Sequence, residues 1–319
     1  MEKIIAQLFA HPEPSVRYRI AVGVKGYSEL SREVLQFRLA VKESARVTAM
    51  LASRNAEGRF PWHPYQKWSG AFWTFLVLAD MGYPAGDEAL LPLKEQIYEW
   101  ILSPKHIKSI LLIDGRWRRC VCQEGGVVFA MLKLGLVDDR VEQLVASILK
   151  WQWPDGGWNC DKHPEATHSS FHESLIPLRA LNAFWLASGD AQVKAARDRA
   201  AERFLSRLLY KHPETGKAIK PDFLKLAYPG YWHYDFLYGL RAMAECGLIN
   251  DPRCQDALDL LESKRLSDGG FGAEAKYYQY SREIKTGCSL VDWGGTSKQR
   301  FNPFVTAEAL SVLKGAGRI

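Results

Sequence analysis

The sequence predicts an all-α fold in which two concentric layers of helices close into an α6/α6 toroid, a double-layer helical barrel spanning residues 1–319 as one domain. Three observations lead there. Apolar residues recur at three- and four-residue steps through segments such as Ser69–Met81, Gly125–Leu136 and Leu175–Leu186, while strand-like alternation is scarce. A Gly followed closely by an aromatic residue recurs along the chain, in Gly58-Arg59-Phe60, Gly115-Arg116-Trp117, Asp155-Gly156-Gly157-Trp158 and Asp268-Gly269-Gly270-Phe271, with Gly216 in the remaining slot. The helices on either side of these turns alternate between polar-faced and nearly all-apolar, as outer and inner layers would.

In order, the unit is an amphipathic outer helix, a Gly-aromatic turn and an apolar inner helix that often ends in Gly, as in Met81-Gly82, Leu134-Gly135 and Cys246-Gly247. Inner helices are expected to begin near Ser15, Trp68, Cys120, Ser169, Trp232 and Pro303. Closure fits so small a repeat number better than an open solenoid. All inner helices then point their N-termini to one end, where backbone N–H groups and positive dipole ends favour anions or a ligand set. Residues Lys276–Asn302 form a loop-rich insertion, rich in Tyr, Ser and Gly, placed to cover the cavity mouth.

Composition bounds the function. With 47% hydrophobic and 24% charged residues the chain is globular, and a net charge of +6, mostly interspersed, argues against nucleic acid as partner. Six cysteines in 319 residues are no disulfide framework, and the first residues lack a signal-peptide pattern. No membrane span is expected, and a cytoplasmic location follows as the default. The 11 tryptophans suggest an apolar cavity as well as a core; Trp68, Trp117, Trp158 and Trp232 lie beside polar residues at inner-helix starts.

The richest chemical segment is Cys160-Asp161-Lys162-His163-Pro164-Glu165-Ala166-Thr167-His168-Ser169-Ser170-Phe171-His172-Glu173. His168 and His172, four apart, share one helix face, and His233 and Asp235 open the next inner helix. Zinc takes Cys, His and carboxylate ligands. The candidate set is therefore Cys160, His168, His172 and His233, with His172, Glu173 or Asp235 as acid–base groups. Arg118 and Arg119 open another inner helix and suit a phosphate, diphosphate or carboxylate. Cys120-Val121-Cys122 is a further metal or redox candidate. Trp68, Trp232 and Tyr234 are candidate substrate contacts.

The Trp151-Gln152-Trp153-Pro154-Asp155-Gly156-Gly157-Trp158 run resembles the repeats of the terpenoid cyclase / protein prenyltransferase superfamily, as a form of the squalene-cyclase "QW" repeat. Trp158-Asn159-Cys160, His168-Ser169-Ser170-Phe171-His172 and Trp232-His233-Tyr234-Asp235 resemble strings of bacterial prenyltransferase/squalene-oxidase-repeat proteins. The resemblance covers nearly the whole chain and implies the six-fold toroid. The Asp-x-Asp-Asp and Asp-Asp-x-x-Asp motifs of cyclases are absent. Protein prenyltransferases hold zinc with an Asp-x-Cys pair and a His; His233 matches that His, whereas the Cys position falls on Thr167 or His168 and the Asp position on Glu165 or Ala166.

The expected function is an enzyme acting on an apolar or aromatic small molecule in a central cavity, zinc-assisted, with His/Asp acid–base groups: a lyase, hydrolase, isomerase or transferase. The alternatives are a prenyl transferase that places a prenyl diphosphate on Arg118 and Arg119, and a non-catalytic module binding a hydrophobic ligand.

Overall fold

The computed structural model describes residues 1–319 and is mainly α, with fourteen α-helices and only two pairs of very short strands. Six helices carry the apolar repeats: α2 (Pro14–Gly23), α5 (Ala71–Met81), α8 (Cys122–Lys133), α10 (Phe171–Ser188), α12 (Phe236–Glu245) and α14 (Pro303–Gly315). Each begins within a few residues of its expected start. In contact order, α2 meets α5, α5 meets α8, α8 meets α10, α10 meets α12, α12 meets α14, and α14 returns to α2. The remaining helices lie against these. They are α1 (Glu2–Phe9) and α3 (Arg32–Lys42) on α2, α4 (Ala45–Leu51) on α3, α6 (Leu91–Ile101) on α5 with α7 (Pro104–Lys108) on α6, α9 (Arg140–Lys150) on α8, α11 (Ala191–Leu205) on α10, and α13 (Gln255–Ser263) on α12.

Composition explains the division. In α5, nine of the eleven residues are buried; in α9 only Val141, Leu144, Val145 and Ile148 are, one stripe at helical spacing. One contiguous apolar cluster of 79 buried residues joins every one of the six apolar helices, so they form a shared core rather than separate subdomains.

The Gly-aromatic turns are rivets. Trp158, fully buried, donates its indole N–H to Ile148 O on α9, and its backbone N–H to the Ser174 hydroxyl, the fourth residue of α10. Phe271 repeats the bond, donating to the hydroxyl of Thr306, the fourth residue of α14. Gly156 turns the chain at φ +90°, and a Cβ there would strike the Arg199 carbonyl of α11. Position and conformation both demand glycine. The α8–α10 contact is equally close: a Cβ on Gly125 would lie 2.9 Å from the Pro177 backbone.

The six apolar helices carry more charge than their pattern suggests. Their middle and C-terminal turns bring together Asp80 (α5), Arg179 (α10), Arg241 and Glu245 (α12), Glu308 (α14) and Arg19 (α2). Arg241 pairs with Asp80 at 2.6 Å, Glu245 at 3.1 Å and Glu308 at 3.2 Å; Arg179 pairs with Asp80 at 2.8 Å and Glu245 at 2.7 Å; Arg19 pairs with Glu308 at 3.0 Å. Three positive and three negative groups balance, which is the condition for burying them at all. Between this network and His233 there is a cavity of only about 40 Å³, room for a few waters. The cavity beside the network is therefore small.

Residues 276–302 pack on Trp68, before α5, and on His233, before α12. The Tyr277 and Cys288 carbonyls accept from the Trp68 indole N–H at 2.8 Å and backbone N–H at 3.2 Å, and the Tyr277 ring stacks on His233 at 3.7 Å. No helix is long and apolar enough to cross a membrane.

Candidate metal centre

The loops that enter α8 and α10 run side by side. Arg119 N–H donates to Asn159 O at 3.2 Å, and the Trp153 indole donates to Trp117 O at 2.8 Å. This places Cys120, from the loop before α8, beside Cys160, from the loop before α10. Glu173, in the first turn of α10, completes a cluster in which one donor atom from each of the three lies within 4.8 Å of the others. The two thiols are partly exposed, whereas Glu173 is 2% exposed.

The electrostatics of the cluster are those of a site short of positive charge. The Cys160 thiol donates to Glu173 Oε1 at 3.6 Å and the Trp232 indole N–H donates to the same oxygen at 3.0 Å. Glu173 Oε2 is buried with no partner. No lysine or arginine pairs with this carboxylate; the nearby Arg119 is committed to Glu124 at 2.5 Å. Burial pushes the Glu173 carboxyl up, against the hydrogen bonds from Trp232 and Cys160. The hydrogen bond that Cys120 makes to Cys160 and then burial push the Cys120 thiol up, and burial does the same to Cys122. A divalent cation would reverse each of these shifts, since a coordinating thiol is deprotonated outright and a buried carboxylate gains a counter-charge.

The four predicted ligands are not brought together. Cys160 belongs to the cluster just described. His168 is exposed on the wall of a polar cleft of about 580 Å³ shared with Arg203, Arg207, His212 and Lys220. His172 clamps a loop: its Nδ1 accepts the Tyr234 N–H at 3.0 Å and its ring stacks on Trp232 at 4.6 Å, while burial, with Lys220 and His233 adding to it, pushes it down to about 4. The His233 ring is 6.3 Å from that of His172 and is taken up by the stack on Tyr277. Spacing along the chain placed these histidines near one another, but packing turned each to a separate task.

Other expected contacts are also corrected. Tyr234 is a core residue, 1% exposed, packed against Phe171, Phe204 and Phe223, with its hydroxyl donating to Leu209 O at 2.6 Å, so no substrate reaches it. Asp235 caps α12, accepting from Tyr238 N–H at 2.9 Å and Ala227 N–H at 3.2 Å, and touches nothing a substrate could reach. Arg119 is neutralised by Glu124, whereas Arg118 is buried against the Trp153 ring at 4.7 Å, with Nη1 donating to Ala166 O and Nε and Nη2 unpartnered. Trp68 stacks on Tyr231 at 4.5 Å beneath the insertion. Cys160, Glu173 and Trp232 are the predicted residues that do meet at the cluster. Cys120 was visible in the Cys-x-Cys string but not as the partner of Cys160, because 40 residues separate them.

Asp235 offers a pH test. Burial pushes its carboxyl up to about 7, against the hydrogen bonds from Tyr238, Ala227 and Leu237 that favour the charged form. A raised acid binds its proton more tightly when folded, so its contribution to stability is greatest below its ordinary value and is lost as pH rises to about 7. His172, with a lowered value, works in the opposite sense over about pH 4–6.5. The Asp235→Asn variant is therefore expected to gain stability relative to the wild type between about pH 4.5 and pH 7. Urea midpoints at the two pH values read this; a difference between variant and wild type that is constant with pH would refute it.

No family model matches the sequence, and no curated protein does. A solved structure of a protein from Actinoplanes is similar over 96% of this chain and 90% of that one, at 14% identity and a TM-score of 0.46. That likeness is too distant to carry an argument about function.

Proposed function

We propose that the six-membered ring of apolar helices and its outer partners form an α6/α6 toroid, and that the protein is a zinc-assisted enzyme with Cys120, Cys160 and Glu173 as its metal ligands. The observation that carries this is the donor set itself: two thiols and a buried carboxylate with an unpartnered oxygen and no neighbouring cation. Three protein ligands on a partly exposed site match a catalytic zinc, which keeps a fourth position open, better than a closed structural one. The three come from loops and a first turn at inner-helix N-termini, where the fold gathers its polar groups.

Bound there, zinc supplies a Lewis acid for an oxygen, or activation of a water or thiolate. The chain's own residues do the rest. Trp232 orients Glu173 through its indole N–H, and Trp68, Tyr231, Trp232 and Tyr277 build an aromatic wall beside the cluster. Such a wall suits an apolar or aromatic small molecule. With the interior reduced to about 40 Å³, the substrate binds at the mouth, over the thiols, rather than in the centre.

Metal analysis of freshly purified protein tests the reading. About one zinc per chain, restored after chelation and dialysis against zinc, is the expected result; less than about 0.2 per chain with no gain on reconstitution ends it.

A further inference from the structure

We propose that Cys120 and Cys160 are a redox-active pair that a peroxide converts to a disulfide. One thiol attacks the peroxide O–O bond and becomes a sulfenic acid, its proton leaving with the departing oxygen as water. The second thiol then displaces the sulfenic oxygen as a second water, so the two sulfurs give up two electrons and the peroxide takes them.

The geometry carries this. The Sγ atoms lie within 4.8 Å of each other, each on a loop rather than in the interior of a helix. The two backbones are paired at Arg118 and Asn159 and held again by the Arg119 N–H to Asn159 O bond. The pairing puts Cys160 opposite Arg119 and Cys120 one residue further on, so the two thiols come from neighbouring backbones. Both sulfurs are partly exposed, so a small oxidant reaches them. The other four cysteines are buried: Cys122 turns its thiol to the Cys120 carbonyl at 3.8 Å, Cys254 to Leu248 O at 3.7 Å, and Cys246 and Cys288 lie in other parts of the fold. The pair is therefore selected by position as well as by access. On the zinc reading, and only there, the same oxidation takes away two ligands, so the disulfide and the metal exclude each other.

The test is made on metal-free, fully reduced full-length protein, so that failure of the zinc reading leaves it intact. Hydrogen peroxide is added, remaining thiols are alkylated, and the cysteines are counted and the peptides mapped by mass spectrometry. The wild type is expected to lose two of its six free thiols and to yield a crosslinked peptide joining Cys120 to Cys160, both reversed by a thiol reductant. Cys120→Ser and Cys160→Ser are each expected to lose no thiol pair. Retention of all six thiols by the wild type, a crosslink involving Cys122 in place of either, or loss of a pair in both variants overturns the proposal. The peptide map of the wild type decides the matter even if a variant folds poorly.

Discussion

Replacing Arg241 by Ala is expected to destabilise the protein by about 3–5 kcal/mol, the cost typical of removing one member of a buried charge network. Arg241 lies in the middle of the ring and touches three carboxylates, those of Asp80, Glu245 and Glu308. Without it, three carboxylates, Glu308 buried and Asp80 and Glu245 partly so, face Arg179 and Arg19 alone, so one negative charge goes uncompensated. The acid limb of the stability curve reports the same network. Burial alone pushes Glu245 up, but Arg179 and Arg241 outweigh it and hold it at about 2, and Asp80 is likewise held well below the usual carboxylate range. A depressed acid contributes stability above its ordinary value, and that contribution is lost as pH falls through the folded one. The wild type should therefore lose stability between about pH 4 and pH 2, and Arg241→Ala, whose acids are held down less, should lose less over that interval. Urea unfolding followed by helical circular dichroism measures both. A loss below about 1 kcal/mol would mean that water enters the ring and solvates the acids.

The second large effect concerns metal. Glu173→Gln and Cys160→Ser are each expected to bring bound zinc from about one per chain to below about 0.2. Each removes a charged donor from a set of three, leaving two. Trp232→Phe changes no ligand, but takes away the N–H that holds Glu173 Oε1; a change of that kind costs metal affinity about 10–100-fold. A sign reversal separates this from simple damage to the fold. In metal-free protein the Glu173 carboxyl is buried with one oxygen unpartnered, so Glu173→Gln should be neutral or stabilising there, as is common where a site is kept for function. In zinc-loaded protein it should be destabilising, because the wild type alone gains the binding energy. Thermal melts with and without zinc measure it. Full zinc content in Cys160→Ser, or equal melting shifts in both states, would remove Cys160 and Glu173 from the metal site.

The helices were legible because their signals are local. Apolar spacing marked α5, α8 and α10, and the Gly-aromatic turns announced a repeat whose reason is now visible: the backbone N–H of the aromatic residue, Trp158 or Phe271, docks on a hydroxyl at the fourth residue of the next apolar helix. Trp158 belongs to the fold, as do the buried Trp73, Trp151, Trp153 and Trp293, so these five of the 11 tryptophans that first suggested a cavity serve the core. The site was half legible. Cys160, Glu173 and Trp232 were singled out by residue type and by their place at inner-helix starts. His168, His172 and His233 were selected on the same grounds and went elsewhere, His172 to hold the Tyr234 backbone and His233 to stack on Tyr277. A histidine with a free backbone N–H or an aromatic ring nearby has other ways to be satisfied than a metal, and the sequence does not list its neighbours.

By itself the sequence determined the helical character, the alternation of polar-faced and apolar helices and the loops in which polar chemistry would gather, since each depends on residues within a turn or two of one another. Only the tertiary structure decided which groups meet. Cys120 reaches Cys160 across 40 residues because two loops pair, and Asp80 reaches Arg241 across 161 because α5 and α12 turn those side chains into the same interior. The physical reason is that burial penalises every unpaired charge and every unsatisfied donor. Partners are therefore chosen by the geometry of the packed core, among all residues that arrive there, and not by their distance along the chain.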